Sequence, residues 1–285
     1  MQFAYSTNLF RTRPLLEAIE GISKAGFCSV EIIADRPHAF PDDLSAARIA
    51  DLNQCLTERK VKLCNLNSAI VTSIPDVYNP SWIEEDWQHR EARIRYTLDC
   101  MRLAAVLGIP CVSTNAGGPI PETMNQNDAF RLFVANMHRV LPLAKKLGIK
   151  LLIEPEPGLL METSEQTLKL LKELEFHESL GINFDPGHFF CAGEDPCESW
   201  KKLNCYIAHL YLDDIPSGRS HRHMQLGEGA MDIPALLRSI QASGYQGYIT
   251  VRVDSYDQKP EDIIWASANY LREKGFLPDQ SDAST

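Results

Sequence analysis

Two stretches of the chain end an apolar run in a carboxylate. Residues 150–158 read Lys-Leu-Leu-Ile-Glu-Pro-Glu-Pro-Gly, and residues 183–190 read Asn-Phe-Asp-Pro-Gly-His-Phe-Phe. A buried parallel strand delivers a functional group at its carboxyl end in this way. Glu154 and Asp185, with His188 three residues further on, suggest one hard-cation site built from strand ends. A carboxylate buried there is costly unless it is paired or metal-bound. Glu154 suits a metal ligand or a base, with a structural ion pair as the alternative. Asp185 suits a metal ligand, with capping of the Pro186-Gly187 turn as the alternative. Glu156 faces the same way as Glu154 if the extended geometry continues through Pro155. His188 suits a ligand, or a group that holds a substrate hydroxyl or phosphate.

Two further stretches carry histidines. Residues 207–214 read Ile-Ala-His-Leu-Tyr-Leu-Asp-Asp. Alternation puts His209, Tyr211 and Asp213 on one face, which is the lumen of a closed sheet if Leu210 and Leu212 face outward. His221-Arg222-His223 follows in a loop. Two imidazoles at i and i+2 can point one way in an extended segment, and neutral imidazole is a common ligand of divalent transition metals. Arg219 or Arg222 suits an anionic group of a substrate. The chain has no Walker A motif, no GxGxxG after a strand, no HExxH and no GxSxG.

The elements that would position these groups alternate regularly. Strands are predicted at 3–6, 29–33, 62–66, 111–114, 151–154, 181–185, 208–213 and 248–253. Helices are predicted near 13–24, 43–59, 86–107, 127–147, 163–174, 197–203, 232–243 and 260–274. Glycines at 26, 108, 148, 244 and 275 follow the helices as C′ caps. Eight β/α units imply a parallel α/β sheet, and this length favours one closed (β/α)8 TIM barrel. The barrel is expected to span 1–275, with 276–285 as a frayed polar tail. The polar segments 34–42, 67–85, 115–126, 155–162, 186–196 and 214–231 follow strands, so they should gather at the face where such barrels place their sites.

The chain has 285 residues, 44% hydrophobic and 23% charged, with a net charge of −10. That balance disfavours binding to nucleic acid or to acidic membranes. The 8 cysteines form no CxxC pair; Cys28, Cys100, Cys111 and Cys205 sit inside apolar-periodic stretches and read as buried free thiols in a reducing compartment. No apolar run approaches the roughly 20 residues that span a bilayer, and the N-terminus lacks a basic n-region. A cytoplasmic location is expected.

Several segments together resemble the sugar phosphate isomerase/epimerase family, the xylose isomerase-like TIM barrels. These are Val30-Glu31-Ile32, Leu152-Ile153-Glu154, Asp185-Pro186-Gly187-His188, Ala192-Gly193-Glu194-Asp195-Pro196, His209-Leu210-Tyr211-Leu212-Asp213-Asp214, the run from Leu226 to Asp232, and Gly244-Tyr245-Gln246-Gly247-Tyr248. The resemblance runs from Phe3 to about Leu271. It implies relatives such as inosose dehydratases, hydroxypyruvate isomerases and ketose 3-epimerases, often as homodimers. It also implies a divalent metal (Mn, Mg, Co or Zn) held by a Glu on strand five, an Asp on strand six, a His on strand seven and a Glu on strand eight. Glu154 and Asp185 match the first two positions; the other two fall on Tyr211 and Arg252. Arginine cannot ligate a cation. A moved site would recruit His209, His223 or Asp254. Without a metal, Arg252 would supply the positive charge or clamp an anionic substrate.

The expected activity is isomerisation, epimerisation or dehydration of a sugar, polyol or keto-acid, through proton removal α to a carbonyl. Isomerase chemistry ranks first. Glu154 is the first candidate base and Glu156 the second, with His188 and Arg252 completing the catalytic set. Tyr211, Arg219, His221 and Glu228 are expected to touch substrate alongside His188. The alternative is a non-catalytic sugar-binding barrel that has lost part of its metal site.

Overall fold

Eight short strands close on themselves in chain order. In this computed structural model, which describes residues 1–69, 78–253 and 259–278, they are β1 (Gln2–Ser6), β2 (Ser29–Ile33), β3 (Lys62–Asn67), β4 (Cys111–Asn115), β5 (Lys150–Glu154), β6 (Leu180–Phe184), β7 (Ile207–Leu212) and β8 (Tyr248–Val251). All pairs are parallel, and β8 returns to β1. The helices are α1 (Leu15–Lys24), α2 (Ala46–Arg59), α3 (Trp87–Leu107), α4 (Gln126–Leu147), α5 (Ser164–Glu173), α6 (Pro186–Cys191), α7 (Pro196–Leu203), α8 (Ile233–Ala242) and α9 (Pro260–Glu273). The fold is therefore the (β/α)8 TIM barrel read from the sequence.

Local chemistry sets these boundaries. Asn125 caps α4 by accepting from the Asp128 amide at 3.0 Å, and α5 opens with a Thr163–Gln166 capping box. Gly148 ends α4 at φ 68°, a left-handed conformation that a side chain resists.

The structure departs from the sequence reading after β6. The segment 186–196 was expected as a loop, but Pro186 to Cys191 form the short helix α6. Asp185 caps it, its Oδ1 accepting from the His188 amide at 3.2 Å, and Pro186 presets the first helical φ. Gly187 lets this turn approach the next strand end: a Cβ there would lie 2.7 Å from Asp213 Oδ1. Asp213 and Arg252 also stand just past strand ends, where longer strands were predicted.

The apolar core lies between strands and helices, with Trp82 against Phe133 and Phe184 against Phe189 and Trp200. The lumen is polar. Ser6 Oγ and Asn65 Nδ2 each donate to Glu31 at 2.8 Å, Asn65 also reaches Ser113 Oγ at 2.9 Å, and Asn67 Nδ2 donates to Tyr211 OH at 2.8 Å. Among the described residues no helix is long and apolar enough to cross a membrane.

Candidate active site

The carboxyl ends of β5 to β8 bring acids, imidazoles and one guanidinium together. Glu154 and Glu156 are both buried, although Glu156 lies beyond the end of β5. Glu154 Oε2 accepts from Asn183 Nδ2 of β6 at 3.0 Å, and Glu156 Oε1 accepts from Tyr78 OH at 2.9 Å. Asp185 is fully buried, and its Oδ2 has no hydrogen-bond partner among the described residues. Arg252 lies 5.0 Å over the Tyr211 ring. Its Nη1 is 3.5 Å from Glu154 Oε1 and 3.9 Å from Asp185 Oδ2.

Three imidazoles meet beside this group. His188 comes from α6, and His221 and His223 from the loop after β7. Their Nε2 atoms are 3.0 Å apart for 188–221, 3.2 Å for 221–223 and 3.4 Å for 188–223. His188 Nδ1 lies 2.8 Å from the Pro155 carbonyl. A carbonyl only accepts, so Nδ1 carries the proton and Nε2 faces the other rings. His223 Nδ1 is held in a short contact by Asp213 Oδ2.

Crowding in a dry site shifts these groups strongly. Burial pushes the Glu154 carboxyl up to about 8, against the opposing charge of Arg252, while Glu156 and Asp185 add to the rise. Burial raises Glu156 and Asp213 as well. Burial also drives His188 down to about 3, so its imidazole is neutral. For His223 burial acts downward too, but Asp213 reverses it and holds the imidazole above its ordinary value.

The structure thus gathers Glu154, Glu156, Asp185, His188, His221, His223 and Arg252. Others lie elsewhere. His209 is on the lumen floor, 3.5 Å from Glu31 Oε2, away from the other imidazoles. Arg219 lies over Phe190 and donates to its carbonyl at 2.8 Å, and Glu228 is exposed. Tyr211 is buried in the lumen beneath Arg252. Asp254 falls outside the described residues.

Sequence reasoning passed over four groups. Asp213 was placed on the lumen face but given no role, and it is the partner of His223. Asn183 and Tyr78 support the two glutamates. Asn115 ends β4 directly opposite Glu154, and both its side-chain polar atoms are buried without partners. The alternation Cys111, Ser113, Asn115 was the available signal, since it puts the asparagine on the lumen face.

The four-ligand cage implied by the resemblance does not fit these residues. Burial keeps the Tyr211 phenol protonated, and the Arg252 guanidinium already stands near both Glu154 and Asp185. Other groups of possible ligand atoms lie within 4.8 Å of one another: His188 with His221 and His223, Glu154 with Asp185 and His188, and Asp185 with Asp213 and His223. Asp185, whose Oδ2 is buried without a hydrogen-bond partner, is common to the last two, so the donor set suits a divalent ion.

The model of the xylose isomerase-like TIM barrel family matches residues 19–274. A fructoselysine 3-epimerase from Escherichia coli O157:H7 is 25% identical, across 93% of this chain and 94% of that protein. An inosose dehydratase from Clostridium perfringens is 24% identical, across 52% of this chain and 55% of that one. Among solved structures, a D-tagatose 3-epimerase-like protein superposes with a TM-score of 0.80 at 23% identity, covering 96% of this chain and 97% of that one. The IolI protein with a bound zinc atom superposes with a TM-score of 0.79 at 19% identity, covering 96% and 98%.

Proposed function

Because this chain belongs to the xylose isomerase-like TIM barrel family, we propose that it is an enzyme that moves a proton on the carbon beside a carbonyl. Its substrate is a sugar, polyol or keto-acid, and the outcome is isomerisation, epimerisation or dehydration. The fructoselysine 3-epimerase and inosose dehydratase relatives support that substrate class. The observation that carries the reading is Glu154, a buried carboxyl pushed up to about 8 and set 3.5 Å from the Arg252 guanidinium. A base works best when its pKa lies near the working pH.

In this reading Glu154 takes the proton, and Glu156, held by Tyr78, is the second carboxylate that can return it. Arg252 stands where negative charge develops on the substrate oxygen, and its charge is permanent. His188, fixed by the Pro155 carbonyl, orients a hydroxyl. Asn115 offers a buried amide to a second hydroxyl. A divalent ion, when bound, supplies further polarisation of the carbonyl; Mn, Mg, Co and Zn all suit this role.

Solvent exchange tests the proposal. The protein is incubated in D2O with a panel of ketosugars, inososes and 2-keto-acids, and proton NMR follows loss of the α-hydrogen signal. Exchange or product formation with one class is expected, lost in Glu154→Gln. Tight binding of a sugar with neither exchange nor turnover would leave the sugar-binding barrel in its place.

A further inference from the structure

We propose that Trp82 and the Gly117-Gly118 turn are positioning residues that set the Tyr78 hydroxyl on Glu156, so that Glu156 can return a proton to the substrate. The inference rests on the proton-transfer reading above and adds the residues that aim its second carboxyl.

Tyr78 follows β3 and Glu156 follows β5, 78 positions apart in the chain, yet Tyr78 OH donates to Glu156 Oε1 at 2.9 Å. Both segments hang from one turn after β4. On one side Trp82 N donates to the Gly117 carbonyl at 2.9 Å, and a Cβ on Gly118 would lie 2.4 Å from Ser81 Cβ. On the other side Leu160 N donates to the Gly118 carbonyl at 2.9 Å, and Glu156 N to the Met161 carbonyl at 3.0 Å. A Cβ on Gly117 would lie 2.8 Å from Leu160. The two glycines take φ 100° and 114°, a region that side chains resist. The turn thus lets two segments approach one stretch of backbone from opposite sides.

Side chains fix Trp82 in place. It is fully buried, its Nε1 donates to Thr114 Oγ1 of β4 at 3.0 Å, and its carbonyl accepts from Asn136 Nδ2 of α4 at 2.9 Å. Arg93 of α3 donates to the same Thr114 oxygen at 2.8 Å and to the carbonyls of Ser68 and Ala69 at 2.9 Å. That buried guanidinium ties the end of β4 to the chain leaving β3.

The chemistry divides between the two glutamates. Glu156 accepts the Tyr78 proton on Oε1, and burial favours its protonated carboxyl, whose own proton then sits on Oε2. The substrate C–H bond breaks, its electron pair stays in the enediolate, and the proton goes to Glu154. The Glu156 Oε2–H bond then breaks, and its proton goes to carbon or to a leaving hydroxyl. Solvent afterwards takes the proton from Glu154 and restores the one on Glu156. Product formation needs both carboxyls. Return of solvent deuterium to the original carbon needs only Glu154.

The intact 285-residue chain is therefore incubated in D2O with the panel of ketosugars, inososes and 2-keto-acids. Proton NMR reads two rates: loss of the α-hydrogen from recovered substrate, and appearance of product. Trp82→Phe keeps an aromatic ring and removes the indole N–H, and Gly118→Ala drives Ser81 away. In both, product formation should fall about 10–100-fold, since a displacement of about 1 Å can cost that much, while exchange into recovered substrate is kept. Trp200→Phe is the control. It is equally buried, on α7 against Phe184, and should leave the ratio of the two rates unchanged. Should Gly118→Ala fail to fold, Trp82→Phe decides alone. A parallel fall of exchange and product in Trp82→Phe overturns the proposal, as does the same change of ratio in Trp200→Phe. Neither exchange nor product from the unsubstituted protein sinks the proton-transfer reading and this inference together, whereas a parallel fall sinks only this one.

Discussion

Glu154 sits where water does not reach, and its carboxyl keeps a proton that an exposed glutamate would have released. A base must first lose that proton. Turnover should therefore climb with pH above the ordinary carboxylate range and level off near the raised value of about 8. Arg252 pulls that value down, so Arg252→Met should move the rising limb to higher pH. Glu154→Gln should flatten the limb and slow exchange by about 10²–10⁴-fold. A pH–rate profile of the three proteins checks both statements. At this scale the sequence carried Glu154, Asp185, His188 and His223, because each ends or follows an apolar run. The pairing of Asp213 with His223 and the convergence of His188 with His221 were not legible. Those contacts join residues 10 and 33 apart across loops, and no local period encodes them.

The element that matters most is α6. Its Asp-Pro-Gly opening reads as a turn, and the same three residues are a cap, a preset first helical residue and a side-chain-free contact. Six residues are too few for a period to show, so only the cap chemistry could have signalled it. Asp185 thus serves two masters, helix and site. Asp185→Asn keeps an oxygen for the His188 amide, whereas Asp185→Ala removes it. The alanine variant should be less stable than the asparagine variant by about 1 kcal/mol, the usual worth of a cap, measured by urea denaturation. Both should impair the site. The eight strands were readable because each is a short apolar run closed by turn residues. The extra residue Cys64, which shifts register between β2 and β3, was not, since a bulge leaves no mark in composition.

Across the whole molecule, closure of the barrel was legible from the count of β/α units, and alternation put His209, Tyr211 and Asp213 in its lumen, while the hydrogen bonds that join Glu31, Asn65 and Asn67 across it were not legible. Acid stability is set partly far from the mouth. His38 is buried, with Nε2 3.1 Å from the carbonyls of Phe10 and Arg13 and Nδ1 3.1 Å from Thr7 Oγ1. Burial holds its imidazole below the ordinary value, so the folded chain refuses a proton that the unfolded chain accepts. Its contribution to stability is therefore present above the ordinary histidine pKa of about 6.5 and is lost as pH falls below it. His38→Gln should cost about 1–3 kcal/mol at pH 7.5 through lost buried hydrogen bonds and should shrink the fall between pH 7.5 and 5. Paired denaturation curves at the two pH values decide this. The lumen floor has a separate consequence, for how the chain folds. Glu31 on β2 is satisfied by Ser6 of β1 and Asn65 of β3, and Asn65 by Ser113 of β4, while Asn67 of β3 reaches across to Tyr211 of β7. A chain with only its first four units assembled would hold a buried carboxylate beside an open, unpaired sheet edge. A fragment ending before β5 should accordingly remain unfolded, and the barrel should assemble as one cooperative unit rather than as two halves that dock.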